Sequence, residues 1–411
     1  MKKRFQGTVN LPGSKSESNR ALMIAAYGGF TLDAENLSDA HDTVLLQSLL
    51  EQVERHALPE TFTVDSEDAG TVSRFMMPYL ACKPGTWLLR GTKRLCERPM
   101  APLIGALRQL GAEVECLETE GCLPVRIRGK QLKGGRLNLD ASQSSQFVTA
   151  LLLAAPTWDE GLQLTLTDDT VSEPYIGMTC SMMEYFGVHV VRDNNVITVT
   201  HQPYRQRLFV VEADWSAASY WYEMLALSDG GKLLLKGLKP DSLQGDAVVA
   251  DFFKPLGVNT EYLDDGIRIT STGTVKPSEK PLQFDFCDTP DLFPSVLVSC
   301  VALHIKAEFN NIMTLYHKES DRVNSLLFEL SKIYTFINIV SNNKLIIEKS
   351  SLSNSIFDDK KLSFRTYDDH RVAMSLAGLT MKLGQISLDF PEVVNKSFPT
   401  FWDEFRKIFK T

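Results

Sequence analysis

Hydrophobic and polar positions along the chain follow a pattern that recurs. An apolar run with helical spacing ends in a glycine, and two β-rich stretches joined by a polar turn come after it. Three segments carry the full pattern and a fourth lacks the glycine: residues 103–129, 176–200, 247–270 and 323–348. Because helices commonly close on a residue with left-handed backbone, Gly111, Gly187 and Gly257 are expected to end three helices.

The recurrence predicts how the chain is organised. Residues 194–195 (Asn-Asn) and 264–266 (Asp-Asp-Gly) carry turn chemistry, so the paired stretches are expected to form hairpins. A unit that returns about every 70 residues predicts repeated α/β modules with mixed sheets instead of one Rossmann sheet. Chance recurrence of a common helix-and-hairpin arrangement is the alternative interpretation. A chain of 411 residues also exceeds what one core usually supports, which favours two domains.

Composition narrows the class of protein. The chain has no apolar run of the roughly 20 residues that cross a bilayer. The first residues, MKKRFQGTVNLPG, lack the apolar core of a secretory signal. We therefore expect a cytoplasmic protein without a membrane partner. The polar segment 350–361, SSLSNSIFDDKK, is expected to form an exposed loop.

Charge and metal-binding residue types exclude further classes. A net charge of -8 disfavours a nucleic-acid surface, whereas small anions need only a local cluster of Lys and Arg. The 7 cysteines include no CxxC pair and the 7 histidines no HExxH motif. Neither a metal site nor a disulfide framework is therefore expected, and no cofactor is predicted.

Positively charged side chains stand where several helices are predicted to begin. Lys15, Ser16 and Arg20 come just ahead of the apolar run ALMIAA, and a helix N-terminus favours an anion. Gly70 lies in a turn that leads into another predicted helix, and Arg98 precedes a proline at a helix start. The alternative for each is a capped surface helix without a ligand.

Four later segments repeat this arrangement. Each places polar or charged side chains ahead of a helical run: Ser144, Ser145 and Gln146; Lys318, Glu319 and Arg322; His370 and Arg371; and Lys396. Taken singly, each is an ordinary helix start with a cap. Together they predict a protein that gathers anions at one site.

Nine short segments resemble, in chain order, the signatures of the EPSP synthase family of enolpyruvyl transferases: GSKSESNRAL, DAGTVSR, ERPM, SSQF, SEPYI, TPD, KESDR, TYDDHR and KSFP. They lie between residues 12 and 399 and so cover nearly the whole chain. The segments GSKSESNR, KESDR and DDHR are the most specific, and DAGT and ERPM are supportive.

The resemblance implies a fold and a domain division. The family fold is a two-domain, inside-out α/β barrel of six βαβαββ repeats with mixed sheets and three repeats per domain. One domain would comprise residues 1–13 and 214–411, and an inserted domain would comprise residues 14–213. The active site would lie in the interdomain cleft, where helix dipoles add to the positive field. A monomer without a nucleic-acid partner is expected.

The resemblance also implies a reaction. The enolpyruvyl group of phosphoenolpyruvate would pass through a tetrahedral intermediate to the 5-hydroxyl of 3-phosphoshikimate, with release of phosphate, in the shikimate pathway to aromatic amino acids. The matching motifs assign 3-phosphoshikimate to Lys15, Ser16, Arg20, Ser144, Ser145, Gln146, Ser172, Tyr175, Asp291 and Lys318. They assign phosphoenolpyruvate to Lys15, Gly70, Arg98, Gln146, Glu319, Arg322, His370, Arg371 and Lys396.

Three residues are the candidates for catalysis that the resemblance implies. Asp291 would accept the proton of the 5-hydroxyl, and Glu319 would protonate the methylene carbon. Lys15 is the third candidate catalytic residue. Nearby cations lower the pKa of such a carboxylate while burial raises it, so the sequence leaves the net direction open.

Some positions depart from the family pattern. Asp68, Glu173 and Thr314 stand where many members have Asn, a basic residue and Asn, respectively. Gly70 is retained, and the space there implies sensitivity to glyphosate, a competitor for the phosphoenolpyruvate site.

Two other functions are open alternatives. The sister enzyme UDP-N-acetylglucosamine enolpyruvyl transferase would show a Lys-Asn pair near the N-terminus, where this chain has Lys15 and Ser16. A catalytically dead anion-binding relative is disfavoured because the clustered charges are retained.

Overall fold

Strands and helices alternate along the chain in a mixed α/β fold. The computed structural model describes residues 4–56, 60–167, 170–275, 280–341, 343–352 and 362–409. The strands are β1 (Phe5–Val9), β2 (Asp33–Glu35), β3 (Thr61–Asp65), β4 (Gly85–Arg90), β5 (Glu113–Cys116), β6 (Val125–Gly129), β7 (Gly135–Asp140), β8 (Leu162–Thr167), β9 (Val190–Asp193), β10 (Val196–Val199), β11 (Leu208–Val210), β12 (Gly231–Lys236), β13 (Val258–Leu263), β14 (Gly266–Ser271), β15 (Leu282–Asp285), β16 (Ala307–Asn310), β17 (Tyr334–Ser341), β18 (Lys344–Leu352), β19 (Leu362–Phe364) and β20 (Ile386–Leu388). The helices are α1 (Lys15–Gly28), α2 (His41–Arg55), α3 (Gly70–Cys82), α4 (Lys93–Cys96), α5 (Ala101–Gln109), α6 (Ser145–Ala154), α7 (Glu173–Tyr185), α8 (Trp215–Leu227), α9 (Val249–Phe253), α10 (Phe293–Ala302), α11 (Arg322–Ser331), α12 (His370–Gly378), α13 (Thr380–Leu383) and α14 (Phe401–Phe409).

Four of the sheets share one strand order. In each, the first two strands are parallel, and the fourth and third strands follow in antiparallel pairing: β3-β4-β6-β5, β7-β8-β10-β9, β1-β12-β14-β13 and β15-β16-β18-β17. Two further sheets contain two parallel strands each, β2 with β11 and β19 with β20. The predicted mixed sheets are therefore confirmed.

These sheets are open in the part of the chain that the structure describes. A closed barrel requires the two outermost strands of a sheet to pair with each other, and in none of the described sheets, which have at most four strands, do they pair. The described strands thus form no closed barrel, which corrects that part of the expected fold.

The local predictions from the recurring pattern agree with the structure. Strands β9 and β10 form one hairpin, and β13 and β14 form another. Gly111, Gly187 and Gly257 follow α5, α7 and α9 with φ angles of 89°, 89° and 86°, the left-handed backbone that glycine adopts without strain. The loop predicted over 350–361 is wrong for 350–352, which end β18, and residues 353–361 lie outside the described residues.

The chain divides into two compact units, each with its own hydrophobic core. Residues 14–211 form what we call the insert unit, and residues 1–13 with 212–411 form the split unit. Helices α1, α3, α6 and α7 pack together in the insert unit, and α8, α10 and α12 pack together in the split unit. Among the described residues, none of the helices has the length and apolar character that crossing a membrane requires.

One ionisable side chain lies within the helix packing of the split unit. Glu223 of α8 is fully buried, and neither carboxyl oxygen has a hydrogen-bond partner among the described residues. It faces Gly378 of α12, where an added Cβ would clash with the carboxyl group. Burial raises the pKa of Glu223 well above 4.5, because the charged form loses its hydration there.

Replacing this carboxyl by an amide should change how stability depends on pH. In the folded state Glu223 keeps its proton, whereas the unfolded chain releases it above pH 4.5. Each further pH unit therefore costs the parent about 1.4 kcal/mol until the pH reaches the raised pKa. We expect the free energy of unfolding of Glu223→Gln, relative to the parent, to increase between pH 4.5 and pH 8 in urea titrations. The control Glu51→Gln, at an exposed position, should show no such increase. A difference between Glu223→Gln and the parent that is constant with pH would contradict this account.

Candidate active site

Helix α1 opens the insert unit and carries the first of the predicted site residues. Ser14 caps it, since its Oγ accepts a hydrogen bond from the Glu17 amide at 3.4 Å. Lys15 is the first helical residue, and its Nζ donates to Asp42 Oδ2 at 2.9 Å. Asp42 is only 2% exposed and belongs to the first turn of α2. This carboxylate therefore holds the Lys15 ammonium group at a helix N-terminus, where an anion is favoured.

Arg20, further along α1, connects this helix to two others, α6 and α7. Its Nε donates to Thr179 Oγ1 at 2.9 Å and its Nη1 to the Ser16 carbonyl at 2.9 Å. Its Nη2 donates to Thr149 Oγ1 at 3.3 Å and to the Tyr175 carbonyl at 3.2 Å. A guanidinium has five N–H groups, so at most one is left for a ligand. Burial lowers the pKa of Arg20 to about 10, which leaves it charged at neutral pH.

Two guanidinium groups converge on the first residue of α3. A Cβ atom placed on Gly70 would lie 2.5 Å from Arg74 Nη1 and 2.7 Å from Arg98 Nη1. The two nitrogens are therefore within about 5.2 Å of each other, the sum of those distances. Two like charges this close, beside the backbone N–H groups of a helix start, make a strong site for an anion.

The starts of α6 and α7 supply the neutral hydrogen-bonding groups. Ser144 caps α6, with its Oγ accepting from the Gln146 amide at 3.2 Å, and Ser145 is its first residue. Ser172 precedes α7 in a left-handed conformation, with φ of 55°. Tyr175 lies in the first turn of α7, under the Arg20 guanidinium at 5.8 Å. The sequence-predicted residues of the insert unit thus lie at or near the N-terminal ends of helices, of which α1, α3, α6 and α7 pack together.

The split unit carries its predicted residues around one buried guanidinium. Arg322 is 1% exposed and binds three carboxylates: Asp291 at 2.8 Å, Glu319 at 2.9 Å and Asp369 at 2.9 Å. Arg371 binds the other oxygen of Asp291 at 2.6 Å. The two carboxylates proposed for acid and base chemistry are therefore both bound to Arg322, and Asp291 bridges two guanidinium groups.

The structure resolves the question that the sequence left open about Asp291. Burial by itself would raise the pKa of this carboxyl group. The nearby cations Arg371, Lys318 and Arg322 outweigh burial, and the pKa of Asp291 lies well below its usual range. Burial by itself would lower the pKa of Arg322, but the carboxylates of Asp369, Glu319 and Asp291 raise it. Asp291 is therefore ionised at neutral pH.

The remaining predicted residues of the split unit are partly or fully buried. Lys318 follows the 3₁₀ turn Met313–His317 and is close enough to lower the pKa of Asp291. His370 is the first residue of α12 and 1% exposed, with its Nδ1 4.0 Å from Asp369 Oδ1. Lys396 ends the 3₁₀ turn Pro391–Lys396 and is 5% exposed. A buried Lys needs a negatively charged or polar environment, which a phosphate would supply.

Glu173, which stands where many family members have a basic residue, has a basic partner in the structure. Glu173 is the first residue of α7, and its carboxylate pairs with Arg192 of β9. The guanidinium thus restores a positive charge beside a helix start where the residue itself is acidic. Asp68 lies in the turn just before α3, and Thr314 lies in the 3₁₀ turn Met313–His317.

Sequence reasoning missed four residues that shape these sites. They are Asp42, Thr149, Thr179 and Asp369. Asp369 lies inside a motif that the sequence did single out, so its charge was an available signal. Asp42, Thr149 and Thr179 act on residues 27, 129 and 159 positions away, and only the packing of separate helices reveals them.

The described ranges contain no group of three or more His, Cys, Asp or Glu side chains that could hold a metal ion. All seven cysteines lie in the described residues, and none of them forms a disulfide bond.

Comparisons with known proteins agree with the resemblance found in the sequence. The family model described as EPSP synthase (3-phosphoshikimate 1-carboxyvinyltransferase) matches residues 1–405. A 3-phosphoshikimate 1-carboxyvinyltransferase of Bacteroides fragilis is 39% identical over 407 residues, 98% of this chain and 95% of that protein. One of Syntrophobacter fumaroxidans is 32% identical, over 98% of this chain and 97% of that protein.

Solved structures share the fold. An EPSP synthase from Acinetobacter baumannii aligns with a TM-score of 0.76 at 22% identity, covering 99% of this chain and 96% of that chain. The enolpyruvyl transferase NikO from Streptomyces tendae aligns with a TM-score of 0.76 at 14% identity, covering 99% and 95%.

Proposed function

The chain belongs to the EPSP synthase family, and from this membership we propose how its two units divide the family's reaction. It transfers the enolpyruvyl group of phosphoenolpyruvate to 3-phosphoshikimate in the shikimate pathway. The observation that carries the assignment of residues is the pair of carboxylates Asp291 and Glu319, both bound to the buried guanidinium of Arg322.

The insert unit would bind most of 3-phosphoshikimate. Its helix starts present hydroxyl groups, backbone N–H groups and the Lys15 ammonium group, which together suit a phosphate and several ring hydroxyls. The residues assigned are Lys15, Ser16, Ser144, Ser145, Gln146, Ser172 and Tyr175, with Asp291 and Lys318 of the split unit. Arg20 would contribute one N–H at most, because four are already bonded within the protein.

Cations from both units would bind phosphoenolpyruvate. In the insert unit, the cations are Lys15 and Arg98. The backbone at Gly70 and the side-chain amide of Gln146 would add neutral hydrogen-bonding groups. The cations of the split unit are Arg322, Arg371 and Lys396, with Glu319 and His370 nearby. An Arg can bind a carboxylate through two parallel hydrogen bonds, and a Lys suits a phosphate as a compact charge.

Asp291 and Glu319 would move the protons. In the addition step, the 5-hydroxyl oxygen bonds to C2 of phosphoenolpyruvate, Asp291 takes the hydroxyl proton and Glu319 gives a proton to C3, with Lys15 stabilising the negative charge. In the elimination step, C3 returns its proton to Glu319, the C2–O bond to phosphate breaks, and phosphate leaves with the proton that Asp291 took from the hydroxyl group. When the carboxylate of phosphoenolpyruvate binds to the arginines of the split unit, its negative charge offsets part of their positive potential at Asp291. The pKa of Asp291 then rises, and Asp291 becomes a better base.

We extend the proposal to the architecture and setting of the protein. Six repeats, three in each unit, are supported by the strand order that four sheets share, with the two-stranded sheets as shortened copies. The two units would be the two domains of the family fold. That the enzyme is monomeric, is cytoplasmic and has no nucleic-acid partner stays a prediction from the sequence.

Phosphate release tests the function directly. Purified protein should release phosphate from phosphoenolpyruvate only when 3-phosphoshikimate is present. UDP-N-acetylglucosamine, the acceptor of the sister enzyme, should give no release above background. Release with that acceptor, or none with 3-phosphoshikimate, would overturn the assignment.

Gly70→Ala should weaken phosphoenolpyruvate and glyphosate binding without harming the fold. The new methyl group would displace the guanidinium ends of Arg98, a proposed ligand of phosphoenolpyruvate, and of Arg74, the partner of Gln146; both are side-chain and not backbone atoms, so the fold should hold. Each lost charge-assisted hydrogen bond is worth roughly 1.5–3 kcal/mol, so the KM for phosphoenolpyruvate should rise roughly tenfold or more. The control Gly105→Ala adds a methyl group with nothing within 4 Å and should leave KM unchanged. Equal kinetics for both variants would contradict the placement of the anion.

A further inference from the structure

The side-chain amide of Gln146 is held at both ends by residues of α3. Its Oε1 accepts from Arg74 Nη1 at 3.0 Å, and its Nε2 donates to Thr71 Oγ1 at 3.2 Å. A guanidinium can only donate hydrogen bonds, so it must face the amide oxygen. The chemistry of the guanidinium group therefore determines which end of the amide is oxygen. The second N–H of Nε2 then points away from Arg74.

Arg74 is itself rigidly placed. It is 4% exposed, and its guanidinium lies over the Phe147 ring at 5.5 Å, on the residue next to Gln146. A cation over an aromatic face is stabilised further when water is excluded. Helices α3 and α6 pack against each other, so both partners sit on rigid elements. A side chain held in this way can impose one orientation on the amide that it binds.

We propose that Arg74 is a positioning residue that fixes the amide polarity of Gln146, so that the Nε2 end of Gln146 offers a hydrogen-bond donor to a ligand. The site then accepts phosphate, carboxylate or ether oxygens at this point and disfavours a group that presents an N–H or O–H. Without the guanidinium, the amide could turn over and present its oxygen to an anion, which repels it. Arg74 would thus act on substrate through Gln146.

A double-mutant cycle separates this role from simple loss of charge or of structure. The positioning role of Arg74 rests on the proposed binding of substrate by Gln146. The single variant Gln146→Met tests that binding alone. We expect Gln146→Met and Arg74→Met each to raise the KM for phosphoenolpyruvate or 3-phosphoshikimate roughly tenfold, with kcat changed less than about threefold. Unfolding would instead lower kcat and leave KM alone. In the Gln146→Met background, Arg74→Met should add no more than about threefold.

Two further variants test the hydrogen bonds at the two ends of the Gln146 amide separately. Thr71→Val removes the protein acceptor of Nε2 but leaves Arg74 on the oxygen, so its KM should rise less than about threefold. Gln146→Glu keeps an oxygen for Arg74 and replaces the NH₂ group, so it should raise KM at least as much as Gln146→Met, even if Arg74→Met does not fold. An unchanged KM in Gln146→Met would refute the proposed binding by Gln146. A clear Gln146→Met effect with a fully additive Arg74→Met effect, or near-normal KM in Gln146→Glu, would refute the positioning role of Arg74.

Discussion

Asp291→Ala is expected to lower kcat by about 10²- to 10⁴-fold, the usual contribution of a positioned acid or base. Both oxygens of Asp291 are bound, one to Arg322 at 2.8 Å and the other to Arg371 at 2.6 Å. Removing this carboxylate also removes a negative charge beside the cations assigned to phosphoenolpyruvate. The dissociation constant of phosphoenolpyruvate, measured with 3-phosphoshikimate present, should therefore stay equal or fall while turnover collapses.

Glu319→Ala tests the second proton transfer in the same way. Its carboxylate binds Arg322 at 2.9 Å, and its loss should lower kcat by a similar factor because C3 would lack its proton donor. Asp288→Ala, an exposed carboxylate three residues before Asp291, is the control and should keep near-parental turnover. Near-normal turnover in Glu319→Ala would remove Glu319 from catalysis, and the same result for Asp291→Ala would remove the base.

Arg322→Met is expected to cost about 3–5 kcal/mol of stability at neutral pH, the range for breaking a buried ion pair by removing one partner. The guanidinium is 1% exposed and binds three carboxylates, which would be left close together without their cation. Like charges in a poorly hydrated site repel strongly, so the loss exceeds that of a surface pair. Urea unfolding should show the loss as a lower midpoint.

The pH dependence of this loss follows from the direction of the pKa shift. The pKa of Asp291 is lowered in the folded parent, so its ionised form stabilises the fold above pH 3.8 and that gain is lost as pH falls. The difference between Arg322→Met and the parent should therefore shrink below about pH 4. Arg406→Met is the control, because its pair with Asp403 is exposed and such pairs contribute about 0–1 kcal/mol. A loss under about 1 kcal/mol in Arg322→Met would contradict the proposed network.

The sequence predicted features that depend on neighbouring residues. The hairpins and the glycines that close helices follow from turn chemistry and left-handed backbone, and both are present. The placement of Lys15 and His370 at helix starts follows from caps and apolar spacing. Each of these is decided within a few residues along the chain, which is the distance over which sequence patterns are informative.

Features that depend on packing between distant segments could not be predicted from the sequence. Arg20 was assigned to substrate, yet Thr149 and Thr179 from two other helices take part of its hydrogen-bonding capacity. The direction of the pKa shift of Asp291 required the distances to its cations. Glu223 gave no signal as a buried acid, because a single Glu in an apolar helix is usually read as surface.

The central proposal is that Arg98 of the insert unit and Arg371 of the split unit each bind phosphoenolpyruvate. Its most direct test is the dissociation constant of phosphoenolpyruvate, measured by calorimetry with saturating 3-phosphoshikimate in the slow Asp291→Ala background. Arg98→Met in the insert unit and Arg371→Met in the split unit should each raise that constant roughly tenfold or more. An unchanged constant in either variant would show that the arginine replaced there takes no part in binding and would contradict the proposal.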